Sequence, residues 1–383
     1  MRRILMVQPS MQPPGGGNGV AAWMLQALRD RHDVTVLTWR PIEVEPINRF
    51  FGTSLKADDF TWLVVPNSWQ AVPNRMPVPA ALLKSSVIMR YTRSIANDFD
   101  VIVGVHNETD YGRRGIQYVH YPTYLRPRPD VDIRWYHHSK TVLHAYYSVA
   151  DYVADFSMER MTSNLTLANS NWTATHIERF LGIKARTLYP PVAEPATPLP
   201  WSERASGFIA IGRISPEKEY ERTMRILARV RKTHPHITLT IVGTTDRHGR
   251  KYYETLLRQA AALGPWIRFQ QNVTREDMRS LMAAHRYGIH GMREEHFGMA
   301  PAELVRAGAI VWVPNGGGQV EIVGETPALR FDTEDEAVDN ISRTLGHAAE
   351  QSRLREALSA RAELFATSRF VRETREIVDS FTG

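Results

Sequence analysis

Short apolar runs alternate with amphipathic helical stretches along most of the chain, and a proline-rich stretch, AEPATPLPW at 193–201, divides them into two sets. RILMVQ, DVTVLTW, TWLVVP, DVIVGV and IQYVHY precede it, and FIAIG, ITLTIVG, WIRFQ, YGIHG and AIVWVP follow it. Strands alternating with helices imply parallel sheets covered on both faces. The pattern therefore predicts an α/β fold of two doubly wound, Rossmann-like domains, 1–190 and 191–360, joined by a polar, proline-rich linker. At 383 residues the chain exceeds the size at which a single core usually stops growing. Ligands of such sheets bind beyond the carboxyl ends of the strands, so the expected site is a cleft that the two domains face.

Composition removes several alternatives. With no cysteine, a disulfide scaffold, thiolate catalysis and Cys-ligated zinc are excluded, and a reducing compartment fits. The apolar run of MRRILMV ends at Gln8, short of a secretory h-region, and no stretch is long enough to span a bilayer. A cytoplasmic location is expected. The net charge of +6 is unevenly placed. Between Arg75 and Ala96 there are four basic residues and no acid, among Leu82, Leu83, Val87, Ile88 and Met89. Such a stretch can lie on an anionic membrane, placing the protein at the membrane's inner face, or bury its apolar side as core. No recognised nucleic-acid motif or long basic run occurs.

In EEHFGMAPAELVRAG, Glu295 and Glu303 are eight positions apart and flank Phe297, Gly298, Met299 and Pro301. Pro301 predicts a helix start, placing Glu295 in the loop ahead and Glu303 in the first turn. Unpaired N–H groups and the helix dipole attract anions to that end, such as the oxygens of a diphosphate. Carboxylates on either side accept hydroxyls, which matches the layout of a nucleotide sugar. The plain alternative is an amphipathic helix with solvated acids. FIAIGRISPEKEYERTMRILARV reads as a strand, a loop carrying Arg213 and Lys218, and a helix. A guanidinium fork and a mobile ammonium suit a departing diphosphate, though both could be solvated.

Together the two segments resemble retaining family 4 (group 1) glycosyltransferases of the GT-B fold: Glu295 and Glu303 match an E-x7-E motif, and Gly212, Arg213 and Lys218 a GR…K motif. YVHYP, NSNWT, LYPPV and EEHFG look most like GDP-mannose-dependent α-mannosyltransferases that extend lipid-linked oligosaccharides. The resemblance implies metal-free, retaining transfer of a hexose from a nucleotide diphosphate sugar to a hydroxyl of a glycan, lipid-linked or small-molecule acceptor. It implies that Glu303 holds the ribose, that Glu295 holds a sugar hydroxyl, and that the backbone at Phe297, Gly298 and Met299 meets sugar and phosphates. Gly16, Gly17, Gly212 and Gly243 join these on the donor side, and His120 contacts the transferred sugar. Acceptor contacts stay open, with Asn18, Tyr118 and Tyr121 as candidates; relatives often carry Glu and Arg where Asn18 and Gly19 stand here. The last helix, roughly Arg361 to Phe381 within 361–383, is expected to cross back to the first domain. A nucleotide-sugar epimerase of the same fold, or a transferase using UDP-glucose or UDP-GlcNAc, remains the alternative.

Other features read plainly. Gly15, Gly16 and Gly17 precede a helix predicted from Val20, but Val20 stands where a dinucleotide fingerprint needs its last glycine, so NAD binding is disfavoured. Gly316, Gly317 and Gly318 form either an anion cradle or a tight turn. His137, His138 and His144 lack zinc spacing, and Asp98 with Asp100 precedes a strand as a cap. No metal is expected.

Overall fold

A computed structural model describes residues 1–12, 15–75, 81–122, 140–197, 199–245 and 249–382. They form two compact units, Met1–Pro191 together with the segment from Ser368 onward, and Val192–Thr367.

Among the described residues, the first unit holds a parallel sheet of seven strands: β1 (Arg3–Val7), β2 (Asp33–Thr38), β3 (Thr61–Val64), β4 (Val101–Gly104), β5 (Ile116–Val119), β6 (Leu165–Ala168) and β7 (Arg186–Thr187). Their order is β3-β2-β1-β4-β5-β6-β7. Successive side chains of β1 point to opposite faces: Ile4 and Met6 join one apolar cluster, Leu5 and Val7 another. Both faces are buried, which is why the strand reads as a continuous apolar run. Strand order reverses between β1 and β4, opening a crevice at their carboxyl ends.

The second unit repeats the plan with β8 (Ala205–Ile211), β9 (Thr238–Gly243), β10 (Ile267–Gln271), β11 (His285–Ile289), β12 (Ile310–Pro314) and β13 (Arg330–Phe331). The order β10-β9-β8-β11-β12-β13 reverses between β8 and β11. The apolar pattern does not reveal β6, β7 and β13. Two of them are only two residues long, too short to show a period.

Three expected boundaries move. The helix after the first glycine loop starts at Gly16, not Val20, so the glycines form its first turn. The last helix is Thr367–Ser380; Arg361 lies in the last turn of a separate helix, Ala348–Ala362, and a 3-10 turn intervenes. Phe370, Ile377 and Phe381 then pack into the first unit's core. Helix Met299–Arg306 starts two residues before Pro301, so Glu303 lies beyond the first turn.

The basic stretch contributes helix Ala81–Ile95, while 76–80 lie outside the described residues. Leu83, Val87, Ile88 and Met89 are buried. The apolar side proposed for a membrane surface is therefore core. Arg90 and Arg93 pair with Asp155, and Arg93 also reaches Asp110 at 3.0 Å. Among the described residues no helix is long and apolar enough to cross a membrane.

Candidate functional site

In the second unit the loops after β8 and β11, the strands flanking the reversal, meet. Gly212 directly follows β8 with φ +155, and a Cβ on Gly243, at the end of β9, would sit 2.0 Å from the Gly212 carbonyl oxygen. These two glycines let adjacent strand ends close on each other. A 3-10 turn, Pro216–Lys218, then aims Lys218 inward. Lys218 Nζ donates to Glu295 Oε2 and lies 3.4 Å from Met292 Sδ.

Glu295 also accepts from His290. The imidazole Nε2 is 3.1 Å from the same Oε2, and since a carboxylate only accepts, this nitrogen carries the proton. Burial pushes the His290 ring below its ordinary value, against the hydrogen bond it donates to Glu295, which raises it. Burial would raise the Glu295 carboxyl, but the His290 bond and the Lys218 charge outweigh it and hold it far below the usual carboxylate range. An ionised acid is thus clamped through one oxygen, leaving Oε1 to accept from a hydroxyl.

The glycine loop after β12 supports this acid from behind. Gly318 N donates to Glu295 O at 2.7 Å, and Gly317, at φ +73, has no room for a Cβ, which would fall 2.3 Å from that oxygen. Gln319 Nε2 ties the same loops together through Met292 O at 2.7 Å and Gly316 O at 3.0 Å. Close packing against Glu295 therefore accounts for Gly317.

Gly298, at φ +105, caps the helix Met299–Arg306 without a side-chain hydrogen bond. The first N–H groups, at Met299 and Ala300, have no preceding helical carbonyl and suit an anion. Phe297 is buried against Phe365 with ring centroids 5.6 Å apart, so only its backbone can face a ligand. Glu303 Oε1 accepts from Arg275 Nη2, with side-chain exposures of 12% and 20%. Arg213, in contrast, is 71% exposed and pairs with Glu217 at 3.1 Å rather than with the Lys218 cluster.

In the first unit, His120 follows β5. Its Nε2 donates to Val105 O at 3.0 Å, and its backbone N donates to Asn107 Oδ1 at 2.8 Å. Gly17 lies beneath the ring: a Cβ there would be 3.0 Å from His120 Nε2. Burial lowers His120 to about 4, so the ring is neutral and its Nδ1 is an acceptor. Gly16 is exposed at the start of the same helix, and Asn18 accepts from Gln8 Nε2 at 3.0 Å. Tyr121 stacks towards Trp172 at 6.2 Å.

Tyr118 must be corrected as an acceptor candidate. It is fully buried, and its hydroxyl donates to Leu188 O at 2.8 Å. Asp100 accepts from Arg3 N at 2.8 Å and so fastens the start of β4 to β1. His144 is exposed, while His137 and His138 lie outside the described residues. The sequence reading missed His290 and Arg275. Arg275 reaches Glu303 from the segment after β10, brought there by the strand ends, while His290 stands five residues before Glu295 in the same loop.

Residues 198–365 match the model of the family Glycosyl transferases group 1. The human GDP-Man:Man(3)GlcNAc(2)-PP-Dol alpha-1,2-mannosyltransferase is 26% identical over 222 residues, covering 53% of this chain and 45% of that protein. The Candida glabrata protein of the same name is 22% identical over 304 residues, covering 74% and 54%. The chain spans about half the length of the curated relatives it matches. Anabaena HepE, solved with UDP and glucose, superposes with a TM-score of 0.68 at 18% identity over 100% of both chains. WaaG, a glycosyltransferase involved in lipopolysaccharide biosynthesis, gives 0.69 at 14% identity over 99% and 100%. The match to the group 1 model lies within the second unit, and the chain has the GT-B fold.

Proposed function

We propose that this protein transfers a hexose from a nucleotide diphosphate sugar to a hydroxyl of a glycan or lipid-linked acceptor, with GDP-mannose as donor and retention at the anomeric carbon. The observation that carries the reading is the pair of acids at 295 and 303. Each has one oxygen held by a basic side chain, and a helix N-terminus starts between them.

In this reading the diphosphate lies on the N–H groups at Met299 and Ala300, Glu303 takes the ribose, and Glu295 takes a hydroxyl of the sugar. Bond breaking loads charge onto the leaving diphosphate, and each preorganised donor aimed at it is worth about 3 kcal/mol. Lys218 is the nearest such cation, and Arg213 would swing from Glu217 to join it. These charges do the work that a metal ion does elsewhere, so we propose transfer without a metal. No side chain here is assigned as a covalent nucleophile; the acceptor attacks from the face that the leaving group departs.

The mannosyl assignment rests on the names of the sequence relatives, and the structural likeness to HepE with UDP and glucose makes UDP-glucose the rival donor. Thermal unfolding with GDP-mannose, UDP-glucose and UDP-GlcNAc tests this, because a ligand at 100 times its dissociation constant adds about 2.7 kcal/mol. GDP-mannose should raise the midpoint most. A larger rise with UDP-glucose overturns the donor, and no rise with any of the three overturns the site. Donor consumption without acceptor would point to an epimerase. Transfer should persist in excess EDTA; activity lost with EDTA and restored by manganese would overturn the metal-free reading.

A further inference from the structure

Glu303 is held from outside its own helix, and the residue that holds it was given no role by the motifs. Arg275 is the first residue of helix Arg275–Ala284, just after the loop that follows β10. Thr274 caps that helix, its Oγ1 accepting from Asp277 N at 3.1 Å, so the backbone beneath Arg275 is fixed. From there Arg275 Nη2 donates to Glu303 Oε1. With exposures of 20% and 12%, the two side chains are largely withdrawn from water. A charge-assisted bond in such surroundings is strong and directional, and it takes one of the two carboxylate oxygens.

From this pair we infer that Arg275 is a positioning residue for the nucleotide's ribose. It clamps Glu303 by Oε1 and turns Oε2 towards the ribose hydroxyls, which a carboxylate accepts as a vicinal pair. The inference rests on the nucleotide-sugar reading of this site and adds to it a determinant of ribose recognition. Lysine offers charge without the planar fork, so it should replace Arg275 only in part.

The test compares GDP with 2′,3′-dideoxy-GDP by calorimetry, or UDP with its dideoxy form if UDP is the tighter ligand. Wild type should prefer the ribonucleotide by at least about tenfold, the scale of a hydrogen bond to a charged group. Arg275→Met should erase most of that preference by weakening only the ribonucleotide, and Arg275→Lys should restore part of it. In a Glu303→Gln background, where Arg275→Met strands no carboxylate, that change should alter neither affinity further. Equal weakening of both nucleotides by Arg275→Met, or an unchanged preference, would overturn the proposal while leaving the donor site intact. A further loss in the Glu303→Gln background overturns it too, since Arg275 would then act on the nucleotide directly. If wild type binds neither nucleotide, the donor reading fails and this proposal fails with it.

Discussion

Lys218 and His290 converge on a single oxygen of Glu295, Oε2, one from the loop after β8 and the other from the end of β11. The ion pair with Lys218 is mostly out of water, at exposures of 15% and 18%. In the proposed reading this couples two functions, holding the sugar-side acid and storing the cation that meets the diphosphate. Lys218→Ala should lower turnover by at least roughly 100-fold, as loss of one preorganised donor does. It should also cost stability, about 3 kcal/mol, because it strips a partner from a buried carboxylate. Arg213→Ala should lower turnover without that penalty, since Arg213 is exposed. Single-turnover rates and denaturation curves on both variants check this. A Lys218→Ala protein with normal turnover would remove the proposed role.

Lys218 lies in a loop, yet its loss should weaken the fold, for a reason no motif contains. Glu295 and Lys218 were readable because their spacing lies within single loops. Arg275 was not, because its contact with Glu303 depends on how neighbouring strand ends approach; His290 lies only five residues before Glu295, but its run YGIHG reads as buried strand. Glu303 was placed in a first turn because Pro301 signalled the start, whereas Gly298, in the left-handed region, starts the helix earlier. Tyr118 was misjudged for a different cause. Every residue of β5 is buried, so alternation along it cannot say which side chain faces a ligand.

Stability should fall in acid through two half-buried histidines of the first unit. Burial lowers His106 and His120 from 6.5 to about 4, so both are neutral in the folded chain. Below pH 6.5 the unfolded chain binds protons that the folded chain refuses. The stabilisation is complete above 6.5 and is lost as pH falls towards 4, at about 1.4 kcal/mol per unit for each ring. Chemical denaturation at pH 7, 5.5 and 4.5 should show the slope, and His106→Gln should remove about half of it. A flat profile across this window would mean that both rings protonate freely when folded.

Asp110 should be among the costliest residues to remove from the first unit. It is fully buried and accepts from Arg93 Nη2 at 3.0 Å, Arg160 Nη2 at 2.8 Å, Ser157 N at 2.9 Å and Gly112 N at 2.8 Å. Deleting one side of a buried charge cluster strands the other, at roughly 3–5 kcal/mol. Asp110→Ala should therefore lower the unfolding midpoint sharply, with nucleoside diphosphate affinity unchanged in whatever fraction stays folded, because the second unit holds the proposed nucleotide contacts. Wild-type stability would show that Arg93 and Arg160 find other partners.

The two acids should separate binding from transfer. Glu303 faces the ribose in the proposed arrangement, a contact equally present before and during reaction, so Glu303→Gln should weaken the bare nucleoside diphosphate by about tenfold. Glu295 faces the sugar, so Glu295→Gln should leave that affinity nearly intact while slowing transfer. Glutamine keeps an acceptor oxygen at Glu295 but turns the Lys218 contact from an ion pair into a neutral one, so part of the slowing would come through the leaving-group cation. Following both variants by calorimetry with GDP and by transfer assay with GDP-mannose resolves the roles. If Glu295→Gln loses nucleotide affinity and Glu303→Gln does not, the ligand runs along this helix in the opposite direction; if neither variant alters binding or transfer, the clamped acids serve the fold alone.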